Sequence, residues 1–275
     1  MTKTCLIIVD GLRYDTALSD CGYLQAAVEA GHARLWQMQS ELPTISAPLY
    51  ETIHTGLPPV EHGIIGNEMI RPSNKPNLFS ILKQAGRVTG SVAHCYYHTL
   101  YGGSSFDPFE HGEINDPDAP IPHARYYSME GYCPENSAMP AEVDLCAQVW
   151  GIARDHAPDY LLFHTSSCDT LGHWFGGESS EYRIQASKVD IALARLVPRL
   201  REAGYEVFVT ADHGINSDHH HAGDQPELRQ VPFYVFSDLV DAPAGEVLDQ
   251  KSIAPTVLKL LGVDLPDTMR APTLC

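Results

Sequence analysis

The stretch Val209-Thr210-Ala211-Asp212-His213-Gly214-Ile215-Asn216-Ser217-Asp218-His219-His220-His221-Ala222-Gly223 decides how this chain is read. It continues an apolar, β-branched run that begins at Tyr205, the pattern of a strand buried inside a parallel sheet. An acid and an imidazole then stand side by side at the strand's carboxyl end, where open α/β sheets keep their sites. Neighbours within a strand point to opposite faces, but past its end Asp212 and His213 can both turn toward one cation. The borderline Zn²⁺ ion accepts that mixture of carboxylate and imidazole, and the histidines at 219–221 offer a further nitrogen. Taken alone, the same residues also describe an ordinary Asp-His-Gly turn and a solvated histidine loop.

Other strand ends repeat the pattern. Cys5 to Val9 reads as a first buried strand and stops at Asp10-Gly11, an acid before a residue that permits a tight turn. Tyr160 to Thr165 reads as another, and runs into Ser166-Ser167-Cys168-Asp169-Thr170-Leu171-Gly172-His173. Asp169 and His173 are four positions apart, so one helical turn brings both to one cation. Helical periodicity is expected from Leu24 toward Gly31, over Leu78–Ala85, Ala141–His156 and Ser179–Ala203, and at the end over Ile253–Leu261; Val88–Ala93 and Val231–Ser237 read as strands. From Cys95 to Pro140 periodicity fails amid tyrosines, phenylalanines and prolines, which predicts a loop-rich insertion rather than sheet. Such a segment either covers a site and selects its substrate or caps a sheet edge.

Leu42-Pro43-Thr44-Ile45-Ser46-Ala47-Pro48-Leu49-Tyr50-Glu51-Thr52-Ile53-His54-Thr55-Gly56 places hydroxyls ahead of a helix with proline in its first turn and glycine at its stop. Ser46 there is an N-cap or a nucleophile. The second reading draws on the free N–H groups and positive dipole end of a helix N-terminus, which favour an oxyanion and an incoming phosphate. A serine alkoxide needs more, and metal coordination supplies it by lowering the hydroxyl pKa. The turn-rich return that follows ends at Asn67, whose amide either donates to a phosphoryl oxygen or satisfies the turn's backbone.

Composition narrows the partners. Eighteen Lys and Arg against 35 Asp and Glu give a formal charge of -17 over 275 residues, which argues against a surface that tracks nucleic-acid phosphates. A small phosphorylated substrate held by local positive charge, such as bound metal ions, remains compatible. Seven cysteines without a CxxC pair suit a reducing compartment, and no run has the length of a signal h-region or a membrane span. A cytoplasmic enzyme with no nucleic-acid polymer or membrane partner is the resulting expectation.

Together, Ile7 through Asp15, Pro43 through Asn67, Asp169 through His173 and Thr210 through Gly214 resemble the alkaline phosphatase superfamily, and within it the nucleotide pyrophosphatase/phosphodiesterase branch. The resemblance implies an α/β three-layer sandwich, with a central, mostly parallel sheet between helices. It implies one catalytic domain over residues 1–275 with a small cap-like insertion at about 95–140. It also implies two divalent metal ions, zinc first and manganese second. Asp10, Asp212 and His213 match the site that also binds the nucleophile's oxygen; Asp169 and His173 match the other, whose third ligand is a later histidine, His221 ahead of His220. Thr44 and Ser46 compete for the nucleophile, and ungapped counting back from Thr55-Gly56 selects Ser46, with Asn67 as the amide donor. The implied activity is hydrolysis of a phosphodiester or pyrophosphate bond in a small nucleotide-like substrate through a phosphoseryl intermediate. Phosphonate hydrolysis, monoester hydrolysis and sulfatase activity are the alternatives within the same superfamily; for the last, Tyr50 stands where arginine is wanted.

Overall fold

Lys3–Val9 (β1) is buried from Thr4 onward and apolar on both faces, so it requires cover on both sides. The computed structural model describes residues 2–129 and 139–275, and places β1 in the middle of a nine-stranded sheet. The other strands are Arg34–Gln39 (β2), Thr89–His94 (β3), Glu113–Asn115 (β4), His123–Tyr127 (β5), Tyr160–Thr165 (β6), Tyr205–Thr210 (β7), Gln230–Phe236 (β8) and Val247–Asp249 (β9). Their order across the sheet is β4-β5-β3-β6-β1-β7-β8-β2-β9. Pairing is parallel from β5 through β7, while β4 and β8 run against their neighbours.

Register explains where chemistry gathers. Val9 lies opposite Thr165 and Ile8 opposite Thr210, so β1, β6 and β7 finish level with one another. The residues that follow them, Asp10, Asp169 and Asp212, therefore leave one edge of the sheet together, as expected for a parallel α/β sheet.

Helices cover both faces of the sheet. Glu142–His156 packs on β3, β5 and β6 and on the long helix Ser180–Glu202, which also meets β7 and Gly22–Glu29. In the other layer, Ile253–Leu260 packs on β1, on Leu78–Gln84 and on Ser46–Thr55. All ten residues of the Ser46–Thr55 helix are buried, and it stops at Gly56 in the left-handed conformation (φ 65°).

The sequence reading is amended at two points. The stretch 95–140 is not loop alone: Cys95–Tyr101 is helical, and β4 and β5 extend the central sheet at its edge. The part of that stretch at 130–138, with Tyr132, Cys133 and Pro134, lies outside the described residues. The second is an omission, β2, which the apolar patterning passed over because only Trp36 and Met38 are buried within it. Among the described residues no helix is long and apolar enough to cross a membrane.

Candidate active site

Asp10, Asp212 and His213 meet where β1 and β7 end. His213 places its Nδ1 3.0 Å from the Gly214 carbonyl, which sets Nδ1 as the donor and leaves an Nε2 lone pair. That Nε2 lies 3.2 Å from Asp212 Oδ2 and 3.6 Å from Asp10 Oδ1. The Gly11 N–H donates to the other Asp212 oxygen at 3.3 Å, tying the two strand ends together.

A second cluster forms beside the first. Asp169 and His173 lie one turn apart on the helix Ser167–Phe175, whose start is fixed by the Asp169 N–H donating to the Asp10 carbonyl at 3.0 Å. His173 Nε2 is 3.5 Å from Asp169 Oδ1, and His221 Nε2 is 3.7 Å from the same oxygen. Of the three consecutive histidines, only His221 points into this group; His220 is exposed, and His219 instead exchanges backbone contacts with His173. His213 belongs to both clusters, since its ligand atom lies within 4.8 Å of those of Asp10 and Asp212 and of those of Asp169 and His221.

Ser46 is the first residue of its helix, and Ile45 takes the N-cap position, so the serine side chain does not cap. Its Oγ is instead 3.2 Å from His213 Nε2. Thr44 is committed elsewhere: its hydroxyl donates to the Gly223 carbonyl at 2.8 Å, and its own carbonyl accepts from His221 Nδ1 at 2.7 Å. Asn67 Oδ1 accepts from the Ala47 N–H at 3.0 Å, satisfying one open donor of the helix start and directing the amide protons the other way.

Electrostatics make the cluster one that needs positive charge. Burial pushes the Asp10 carboxyl up, yet the bond from His164, the neighbouring His213 and His164 rings and the Tyr50 hydroxyl hold it well below the usual carboxylate range. Burial and the Asp10 charge push Asp169 well up, and burial with the Asp10 and Asp169 charges does the same to Asp212. Burial lowers His213, and burial with the neighbouring His213 and His173 lowers His221 to about 3. Neutral imidazoles thus sit among crowded carboxylates. Asp10 Oδ1, Asp169 Oδ1 and Asp212 Oδ2 are buried without any hydrogen-bond partner. Three unpartnered carboxylate oxygens with imidazole lone pairs form a donor set that fits a first-row divalent cation.

Two residues at the site escaped the sequence reading. Tyr50, one turn beyond Ser46 on the same buried face, donates its hydroxyl to Asp10 Oδ2, and His164 Nε2 lies 3.2 Å from that same oxygen. The one available signal for His164 was a lone polar residue inside the otherwise apolar run of β6.

Residues 4–225 match the sequence model of the family described as type I phosphodiesterase / nucleotide pyrophosphatase. Among curated proteins, the chain is 34% identical over 214 residues to the 2,3-bisphosphoglycerate-independent phosphoglycerate mutase of Natronomonas pharaonis, covering 72% of this chain and 39% of that one. It is 24% identical over 294 aligned residues to the catalytic subunit of GPI ethanolamine phosphate transferase 3 of Homo sapiens, covering 96% and 25%. The chain therefore spans well under half the length of these relatives. Among solved structures, it is similar to murine ectonucleotide pyrophosphatase/phosphodiesterase 5, an inactive variant in complex with AMP, with a TM-score of 0.70 at 15% identity over 97% of this chain and 96% of that one. Phosphonoacetate hydrolase from Sinorhizobium meliloti shares the fold at a TM-score of 0.62 and 15% identity, covering 95% of each chain. The family match runs through every strand end that carries the clustered acids and histidines, so the chain belongs to the type I phosphodiesterase / nucleotide pyrophosphatase family of the alkaline phosphatase superfamily.

Proposed function

We propose that this chain hydrolyses a phosphodiester or pyrophosphate bond in a small nucleotide-like substrate, with Ser46 as the nucleophile. The observation that carries the reading is the Ser46 Oγ, at a helix start and 3.2 Å from His213 Nε2, beside buried carboxylate oxygens without partners. Asp10, Asp212 and His213 would hold one divalent cation and Asp169, His173 and His221 a second, with zinc as the first candidate and manganese as the second. When bound, such cations supply Lewis acidity that lowers the serine hydroxyl pKa and offsets charge on the phosphoryl oxygens.

The chain's own residues do the rest. Ser46 Oγ attacks phosphorus in line, a phosphoserine forms as the bond to the leaving group breaks, and water then cleaves the phosphoserine to free the acid. The first-turn N–H groups and the Asn67 amide protons are placed to hold nonbridging oxygens as charge builds on them. Thr44 serves by fixing the loop that carries His221, through the contacts of its hydroxyl and its carbonyl.

Zinc-loaded protein is expected to turn over nitrophenyl phosphate diesters or dinucleoside polyphosphates and to stop when chelated. No turnover of these, of phosphate monoesters or of phosphonoacetate would overturn the proposal, and preference among them assigns the leaving group. The two curated relatives are named as a mutase and a transferase, so an alcohol acceptor belongs in the same assay: a phosphorylated alcohol among the products would make this chain a transferase acting through the same serine. A cytoplasmic setting is part of the proposal, supported by six described cysteines that are all free thiols.

A further inference from the structure

Asp10 is only 3% exposed, and its two oxygens are in different situations. Oδ2 is approached from two sides, by the Tyr50 hydroxyl from the Ser46–Thr55 helix and by His164 Nε2 at 3.2 Å from β6. Oδ1 is buried, has no hydrogen-bond partner, and faces His213 Nε2 at 3.6 Å.

A third residue favours the same direction for these bonds. His164 is fully buried, and its Nδ1 lies 3.0 Å from the Tyr127 hydroxyl at the end of β5, the shortest of that hydroxyl's three polar contacts. The ionised Asp10 carboxylate can only accept, so His164 Nε2 carries the proton aimed at Oδ2, and the Tyr127 hydroxyl proton, given to Nδ1, supports that tautomer. Oδ2 therefore receives two donors, and a carboxylate held in that way cannot rotate to offer both oxygens to the same cation.

We infer that Tyr50 and His164 are positioning residues that grip Asp10 by Oδ2, with Tyr127 supporting the His164 tautomer, so that Asp10 presents Oδ1 alone to the site. Tyr50 stands four residues beyond Ser46, so one helix face presents the nucleophile and sets the orientation of the carboxylate beside it. The inference rests on the reading of Asp10 as a donor to a divalent cation, and goes beyond it by naming what fixes that donor.

The test uses the whole chain loaded with Co²⁺, with stoichiometry and affinity from equilibrium dialysis and the visible absorption band as an independent readout. Tyr50→Phe and His164→Ala are each expected to weaken one of two cobalt sites by about 10- to 100-fold and to shift its band, leaving the other unchanged. His164→Gln, whose amide N–H can reach Oδ2, is expected to recover most of that loss. Asp10→Asn separates this inference from the reading beneath it. If Asp10→Asn binds cobalt as the unsubstituted chain does, Asp10 is not a donor and the inference falls with that reading. If Asp10→Asn loses one equivalent while Tyr50→Phe and His164→Ala keep full affinity and an unshifted band, only the inference is overturned. Should either variant fail to fold, Tyr127→Phe carries the test: a weakened, shifted site supports the inference, and an unchanged one contradicts it.

Discussion

His173 Nε2 and His221 Nε2 face each other at 3.0 Å, while each ring's Nδ1 donates to a backbone carbonyl, His219 at 2.8 Å and Thr44 at 2.7 Å. With Nδ1 carrying the proton that each ring donates to a carbonyl, the Nε2 lone pairs face each other and Asp169 Oδ1. A shared cation converts that repulsion into attraction. His221→Ala should therefore lower metal affinity by more than the roughly 10- to 100-fold that losing an outer hydrogen-bond partner costs, and remove one of two equivalents. His220→Ala, at an exposed neighbour, should leave metal content and turnover unchanged. Elemental analysis after exhaustive dialysis reads both variants.

Gly11 turns the chain at φ 75°, and a Cβ there would stand 2.7 Å from the Asp169 Cα. Gly11→Ala adds about 1–2 kcal/mol of left-handed backbone strain and pushes the start of the Asp169 helix away from the strand ends. A lower melting temperature together with loss of the Asp169 metal equivalent is expected. Gly22→Ala, where an added Cβ meets nothing within 4 Å, serves as the control and should keep full metal content.

Asn67 accepts from the helix start through Oδ1 and donates through its amide in the proposed mechanism, and substitutions can separate the two roles. Asn67→Ala should reduce kcat by about 10²- to 10³-fold, the cost of removing one donor to a developing oxyanion. Asn67→Asp keeps an oxygen for the Ala47 N–H but has no amide proton to donate, so it should lose at least as much. Full activity in Asn67→Asp would reduce Asn67 to a helix cap.

The interior also predicts how the fold responds to acid. His54 is fully buried, held between the Tyr50 carbonyl at 2.8 Å and the Tyr160 hydroxyl at 3.1 Å, and burial lowers its pKa from 6.5 to about 4. Its folded-state pKa lies below the unfolded value, so its stabilising contribution is complete above pH 6.5 and declines as pH falls to about 4, because only the unfolded chain binds the proton in that window. Urea titrations of metal-free protein should show stability falling with acid at up to about 1.4 kcal/mol per pH unit for this proton. His54→Phe, which keeps a ring against Phe79, should flatten that slope; an unchanged slope would place the proton elsewhere.

The strand ends were legible because burial on both faces forces continuous apolar runs, and Asp10, Asp169 and Asp212 lie within about one helical turn of three such ends. Asp169 with His173 was legible from one turn of spacing, and the helix beginning at Ser46 from its proline and glycine. His164 was not, since a histidine within Tyr160–Thr165 has no local partner and acquires its role only when β6 pairs beside β1. Tyr50 carried a helical, buried pattern that any core residue shares. β5 was hidden because His123, Arg125 and Tyr127 alternate with buried Ala124 and Tyr126 in a short segment that reads as aromatic loop. Counting back from Thr55-Gly56 already selects Ser46 over Thr44, and the fold adds a reason that no sequence carries, the Thr44 hydroxyl committed to the Gly223 carbonyl.

The central claim is that Ser46 carries the phosphoryl group between the two halves of the reaction. Metal-loaded protein mixed with a nitrophenyl phosphate diester or a dinucleoside polyphosphate, quenched within one turnover in mild acid and digested, should yield one phosphorylated peptide, with the group on Ser46 and none on Thr44. Product release without any phosphorylated Ser46 peptide, or with the group on Thr44, would contradict the account.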